Sequence, residues 1–355
     1  MTRIQVYGLI SLSEEPPSEI DLDYDDTVEE IYSEIAIRSL LISRSLDILS
    51  IPRLAGGRQD MCSWVPDWGD ERLLPNPLNG YPSHSGAYVR RVFHASRDSK
   101  MEACTLSTAE PLPLRGYEID GIAVLGKPLV PQTSSMDPIW MENLLHAAIR
   151  SVNPEGLLRS LLLQCAQALK LWEAVIEWRQ IALSSSSTYP TGEDNDAVFW
   201  KTLQATVYID GDEDPQARHD EFFRDVEARR HRCLKLLGFA NFDDPWTAAI
   251  AIINLMNEMA SGSQTEAVWK QFLCADVVLK RVVMRRLGRT AKGYLALLPF
   301  DTEVTDVIML LQGGKTPYVV RRKEGCWEFV GDCYVHGIMD GDAWDESKLE
   351  NVALV

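Results

Sequence analysis

Between Arg285 and Asp342 short apolar blocks alternate with Gly, Pro and charged breaks: Gly293–Leu298, Val307–Leu311, Pro317–Arg321 and Trp327–His336. Tyr, Val, Ile and Trp crowd these blocks, which favours strands over helices. Gly313-Gly314 and Glu324-Gly325 are turn signals between them. The pattern predicts a compact antiparallel unit, a small barrel or meander of about four to six strands.

Upstream the pattern differs. Thr27 and Glu30 are spaced as a capping box, with Thr27 as N-cap. The helix they open is expected to run to about Ser43, with Ile31, Ile35, Leu41 and Ile42 on its apolar face. Residues 70–135 are rich in Pro, Gly and Ser, with strands expected at Gly86–Ala95 and Arg115–Gly126. From Trp140 the period becomes helical, over Trp140–Val152, Pro154–Leu183, Asn195–Ile209, Pro215–Leu237, Pro245–Met259 and Thr265–Met284. Pro154, Pro215 and Pro245 suit first-turn positions. A polar, low-propensity loop from Ser184 to Asp194 interrupts the helices. Helical and strand patterns are thus segregated, which predicts an α+β fold: a central helical body, a β-rich segment in the N-terminal half, and the small C-terminal β unit. The divisions expected are 1–44, 45–139, 140–284, 285–345 and a tail at 346–355.

Several blocks resemble one known family. Arg289-Thr290-Ala291-Lys292-Gly293-Tyr294-Leu295, then Gly313-Gly314-Lys315-Thr316-Pro317-Tyr318-Val319-Val320-Arg321, then Gly331-Asp332-Cys333-Tyr334-Val335-His336-Gly337-Ile338-Met339-Asp340-Gly341 are similar to the C-terminal part of fungal heterokaryon-incompatibility (HET) proteins. Thr305-Asp306 stands where that family often has Gly-Asp before a central strand. Further matches are Val6–Leu12, Asp23–Tyr32, Ser45–Ser50, Ser63-Trp64-Val65-Pro66-Asp67-Trp68 and Phe199-Trp200-Lys201-Thr202-Leu203, the last with Lys201 in place of the usual Arg. The resemblance implies that most of the N-terminal HET domain, the part implied to trigger cell death, is missing upstream of Val6.

Composition narrows the partners. The 355 residues carry a net charge of −17, which argues against a nucleic acid or an anionic membrane as general partner. Arg281, Arg285, Arg286, Arg289 and Lys292 form a local basic run, expected to be a solvated rim beside the strands. The seven cysteines are scattered, with no CxxC pair, which suits free thiols in a reducing, cytoplasmic setting. The apolar run at the N-terminus is too short and interrupted for a signal peptide or a membrane span.

Candidate chemistry is sparse. Asp25, Asp26 and Glu29 match the DDxxE pattern with which terpene cyclases hold Mg²⁺, and Asn257 with Glu258 resembles the start of their second metal motif. With Thr27 as N-cap, however, Asp25 and Asp26 precede the helix, where acids simply complement its positive end. Asp210, Asp212, Asp214 and Glu221 fit EF-hand positions, but Pro215 stands where the loop needs Gly. Cys333, His336 and Asp340 suggest a nucleophile, base and orienter, yet residues three apart in a strand face opposite sides. Tyr334 and His336 share a face and are the remaining catalytic candidates, with a hydrogen-bonded structural pair as the plainer expectation. Gly313-Gly314-Lys315 lacks the context of a phosphate loop. Trp172, Trp178, Trp200, Trp246 and Trp269 fall in expected helices, more simply as core than as a substrate box.

The reading reached is a HET-like interaction or regulatory module related to nonself recognition, with a protein partner or small apolar ligand and no cofactor. The alternative is a stand-alone cyclase or isomerase of fungal secondary metabolism, with Mg²⁺ only in that case.

Overall fold

The computed structural model describes residues 27–51, 53, 61–70, 78, 88–90, 93–102, 111–130, 170, 172–184, 188–205, 207–209 and 282–355, with a few single residues between 223 and 234. Helix α1, Val28–Ser43, starts where the capping box places it: Thr27 Oγ1 accepts from Glu30 N, and Glu30 Oε2 accepts from Thr27 N at 2.7 Å. Its buried face is Ile31, Tyr32, Ala36, Ile37 and Leu40. The expected face included Leu41 and Ile42, but both are exposed, because the helix ends on the left-handed residue Arg44 and turns the chain away.

Ten strands follow in chain order: β1 (Tyr88–Arg90), β2 (Leu112–Leu125), β3 (Val207–Ile209), β4 (Arg285–Thr290), β5 (Leu295–Pro299), β6 (Val307–Leu311), β7 (Tyr318–Lys323), β8 (Cys326–Asp332), β9 (Tyr334–Val335) and β10 (Glu350–Leu354). Strands β1 and β3 pair separately; the other eight form one sheet in the order β10-β8-β7-β6-β2-β4-β5-β9. The four connections among β4 to β9 that pair are antiparallel, as the block pattern predicted. Strand β10 pairs with both β8 and β2, so the pairings β2–β6–β7–β8–β10–β2 run in a circuit. The long β2 is the shared member: Leu112–Gly116 faces β10, Gly116–Gly121 faces β6, and Ile122–Leu125 faces β4.

Every residue of β5 and β6 is buried. On β6, Val307, Met309 and Leu311 join α1, Trp64 and Val65 in one core cluster, while Ile308 and Leu310 join Ala296, Leu298, Cys333 and Val335 in another. On β5, Leu295 and Leu297 turn to a third cluster, built on Trp178, Val198, Phe199 and Trp200 from the helical segments. Apolar side chains on both faces explain why these strands read as continuous runs rather than alternating ones.

Four expectations change. The basic run at Arg285–Thr290 is a central strand, and Arg285 is 1% exposed rather than part of a solvated rim. The expected tail carries a 3₁₀ turn and β10. The helix expected over Asn195–Ile209 is α2, Asn195–Gln204; it ends on left-handed Ala205, and β3 follows. Of the strand expected at Gly86–Ala95, Tyr88–Arg90 is strand among the described residues, and His94–Arg97 is a turn. Helical backbone is present over 172–183, while most of the expected helical body lies outside the described residues. Among the described residues no helix is long and apolar enough to cross a membrane.

Candidate functional site

Tyr334 and His336 of the last matching block meet the segment 188–194 at the β9 edge of the sheet. Tyr334 Oη lies 3.1 Å from His336 Nδ1, and His336 Nε2 lies 2.7 Å from Glu193 Oε2. The strand period brings Tyr334 and His336 to one face, and the two lie side by side there. Glu193 was not singled out by the sequence; it belongs to the polar loop, 143 residues away. The loop stops at Asp194, the N-cap of α2, whose carboxylate accepts from Asp196 N and Ala197 N.

Charge fixes the proton positions. The Lys201 ammonium first, then the Thr191 hydroxyl and His336, draw Glu193 down to about 2 against the opposing pull of burial. A carboxylate accepts only, so the His336 Nε2 that faces it donates, while Nδ1 faces the Tyr334 hydroxyl. The sign for stability follows: these ties contribute above the ordinary carboxylate range and fade as pH falls towards 2. Hydroxyl, imidazole and carboxylate stand in the order of a nucleophile, base and orienter. The hydroxyl, however, belongs to a ring that is 9% exposed and packs 5.8 Å from Phe93 in the core. A recess among the described residues lies elsewhere, lined among others by Leu49, Arg53, Arg285, Phe300 and Asp332.

Tyr189 completes the group. Its ring packs against His336 and edge-on to Tyr294, and its buried hydroxyl, pushed upward in pKa by burial, donates to His336 O and accepts from Leu295 N. Cys333 is fully buried on the opposite face, and burial pushes its thiol well up, which leaves it inert beside His336. Asp340 is exposed, while Ile338 and Met339 are buried.

The other blocks also serve as ties. Arg321 grips buried Asp306 through two bonds of 2.8 and 3.0 Å. Arg285 is paired with Asp332 at 2.7 Å and also donates to the Asp332 carbonyl. Gly313 has φ +86, and a Cβ there would meet Met101 N at 2.7 Å, so the hairpin turn is held close to the 94–101 loop. In Ser63–Trp68, the Ser63 hydroxyl bonds both Val355 O and Phe329 N, and Trp68 stands edge-on to Tyr32 at 5.0 Å. Trp178 is core: its Nε1 donates to Lys127 O at 2.9 Å. Trp200 is core as well, while Trp246 and Trp269 lie outside the described residues.

Of the metal candidates, Glu29 lies in the first turn of α1; Asp25, Asp26, Asn257 and Glu258 lie outside the described residues, as does the acidic loop Asp210–Glu221. Among the described residues no group of three or more His, Cys, Asp or Glu is placed to hold a metal ion.

Residues 179–355 match the Het-6 beta-barrel domain family. The chain is also 23% identical, over 378 aligned residues, to heterokaryon incompatibility protein 6, OR allele, of Neurospora crassa. The chain belongs to the HET-related proteins of fungi. That alignment covers 99% of this chain and 50% of the relative, so the chain spans about half the length of the curated relative it matches. No solved structure gives a significant match. The C-terminal blocks that suggested the HET family, from Arg289 to Gly341, lie within the matched residues, whereas the blocks between Val6 and Trp68 lie outside them.

His336→Gln tests whether the Tyr334–His336–Glu193 chain is structural. Gln reaches one partner but not both, so the melting temperature is expected to fall by about 2–6 °C. An unchanged melting temperature with loss of an activity would make the group an active site instead.

Proposed function

We propose that this HET-related chain acts as an interaction or regulatory module in fungal nonself recognition, working through protein contacts in the cytoplasm and without a cofactor. The observation that carries the reading is the use to which the family blocks are put. Their charged and hydroxyl groups are spent on joining one element to another, Arg321 to Asp306, Arg285 to Asp332 and His336 to Glu193. Such a framework suits the display of a fixed surface. The relative's name supports a role in heterokaryon incompatibility, although the alignment reaches only half of that protein.

The test is expression of the chain alone in a fungal host, with growth and viable cells counted. Growth is expected to match the empty-vector strain, because in the resemblance the killing function belongs to the N-terminal HET domain. Death caused by this chain alone would overturn the reading.

A further inference from the structure

We propose that residues 188–194 form a releasable strap, held on the barrel by Tyr189 wedged into the β5–β9 ladder and by Glu193 on His336. The ladder itself carries the argument. Ala296 pairs with Val335 and Leu297 with Tyr334, so the next antiparallel pair is Leu295 with His336. Such pairs either exchange both backbone hydrogen bonds or neither. This pair makes one directly, His336 N to Leu295 O at 3.1 Å. The reciprocal bond is replaced by a side chain: Leu295 N donates to Tyr189 Oη at 3.0 Å, and Tyr189 Oη donates to His336 O at 3.0 Å. One hydroxyl from a distant loop stands where two backbone groups would otherwise meet.

The rest of the strap follows the same edge. Pro190 lies over Gly293, and Thr191 Cγ2 lies 2.6 Å from where a Cβ on Gly337 would sit. Both glycines have positive φ, +95° and +90°, so the two turns offer a flat surface. Glu193 closes the strap by reaching His336 on the barrel and Lys201 on α2. The strap thus has two arrangements with satisfied backbone. Seated, Tyr189 supplies the missing bond. Released, Leu295 N and His336 O bond each other, the ladder gains a pair, and Tyr294 with the two glycine turns becomes accessible. The seated arrangement is the resting one, since it keeps the Tyr189 ring buried and Glu193 paired.

Amide hydrogen exchange on the full chain distinguishes the two arrangements. In Tyr189→Phe, peptides covering 188–194 are expected to exchange about tenfold faster, the factor carried by a hydrogen bond worth roughly 1.4 kcal/mol. The Leu295 amide is expected to stay as protected as in the unaltered chain, or more so, because the ladder closes behind the lost wedge. Glu193→Gln should speed exchange of the same peptides and leave the Leu295 amide alone. Faster exchange at Leu295, or an unchanged strap, overturns the proposal. Should Tyr189→Phe fail to fold, the unaltered chain in low urea decides: the strap must open before β4 and β5 do, and opening only with global unfolding overturns the proposal.

Discussion

A fragment beginning at residue 179, the start of the Het-6 domain match, is expected not to fold. It would lack β2, which borders β10, β6 and β4 and is the only strand of the eight-stranded sheet outside the matched residues. Its loss would open three ladders and leave their backbone donors and acceptors without partners. Leu112, Leu114, Tyr117 and Ile122 would leave the core with it. At about 1.5–3 kcal/mol for each large apolar side chain, that burial alone matches the ~5–15 kcal/mol by which domains are stable. Circular dichroism through a thermal ramp checks it. The full chain should melt cooperatively and the fragment should show no transition; a cooperative melt near that of the full chain would show that β2 is dispensable.

Asp332→Ala should cost about 3–5 kcal/mol, because it removes the buried carboxylate with which the Arg285 guanidinium is paired. Arg285 is 1% exposed and Asp332 5%, so little water can take over. The change also removes the acceptor of Leu78 N, bonded to Asp332 Oδ2 at 3.0 Å. Urea titration should show a lower midpoint with an unchanged slope. The double replacement Arg285→Met with Asp332→Leu should recover most of the loss, since an apolar pair of similar size carries no desolvation cost. A single variant within about 1 kcal/mol of the unaltered chain would mean that the pair is not desolvated as the structure places it.

Strands β5 to β8 were legible because β-formers are bracketed by Gly and Pro turns, and both faces of β5 and β6 are buried. The sequence Arg285-Arg286-Leu287-Gly288-Arg289-Thr290 hid β4, since three arginines look like surface. The partner that admits Arg285 to the core is 47 residues further on and cannot be paired with it by spacing. Strand β10 was hidden by its acidic start and by position: Glu350-Asn351 is exposed, and only Val352 and Leu354 turn inward. At the site, Tyr334 and His336 followed from the two-residue period, whereas Glu193 and Tyr189 sit in a loop whose composition says only that it is polar. Nothing local in a loop states which distant strand end its side chains will complete.

The shared position of β2 also has a cost in time. Roughly 160 residues separate its end, Leu125, from its first sheet partner at Arg285, and at ~5–20 residues per second a ribosome needs about 8–30 s to make them. Through that interval a strand rich in Leu, Ile, Val and Tyr is in the cell without the strands that it pairs with. Its ladder with β10 can close only after Glu350–Leu354 has left the ribosome exit tunnel. Strand pairing over such separations is slow. Completion of the sheet around β2 therefore waits on residues 285–354, and soluble yield should track chaperone supply and the rate of synthesis more closely than the stability of the finished fold.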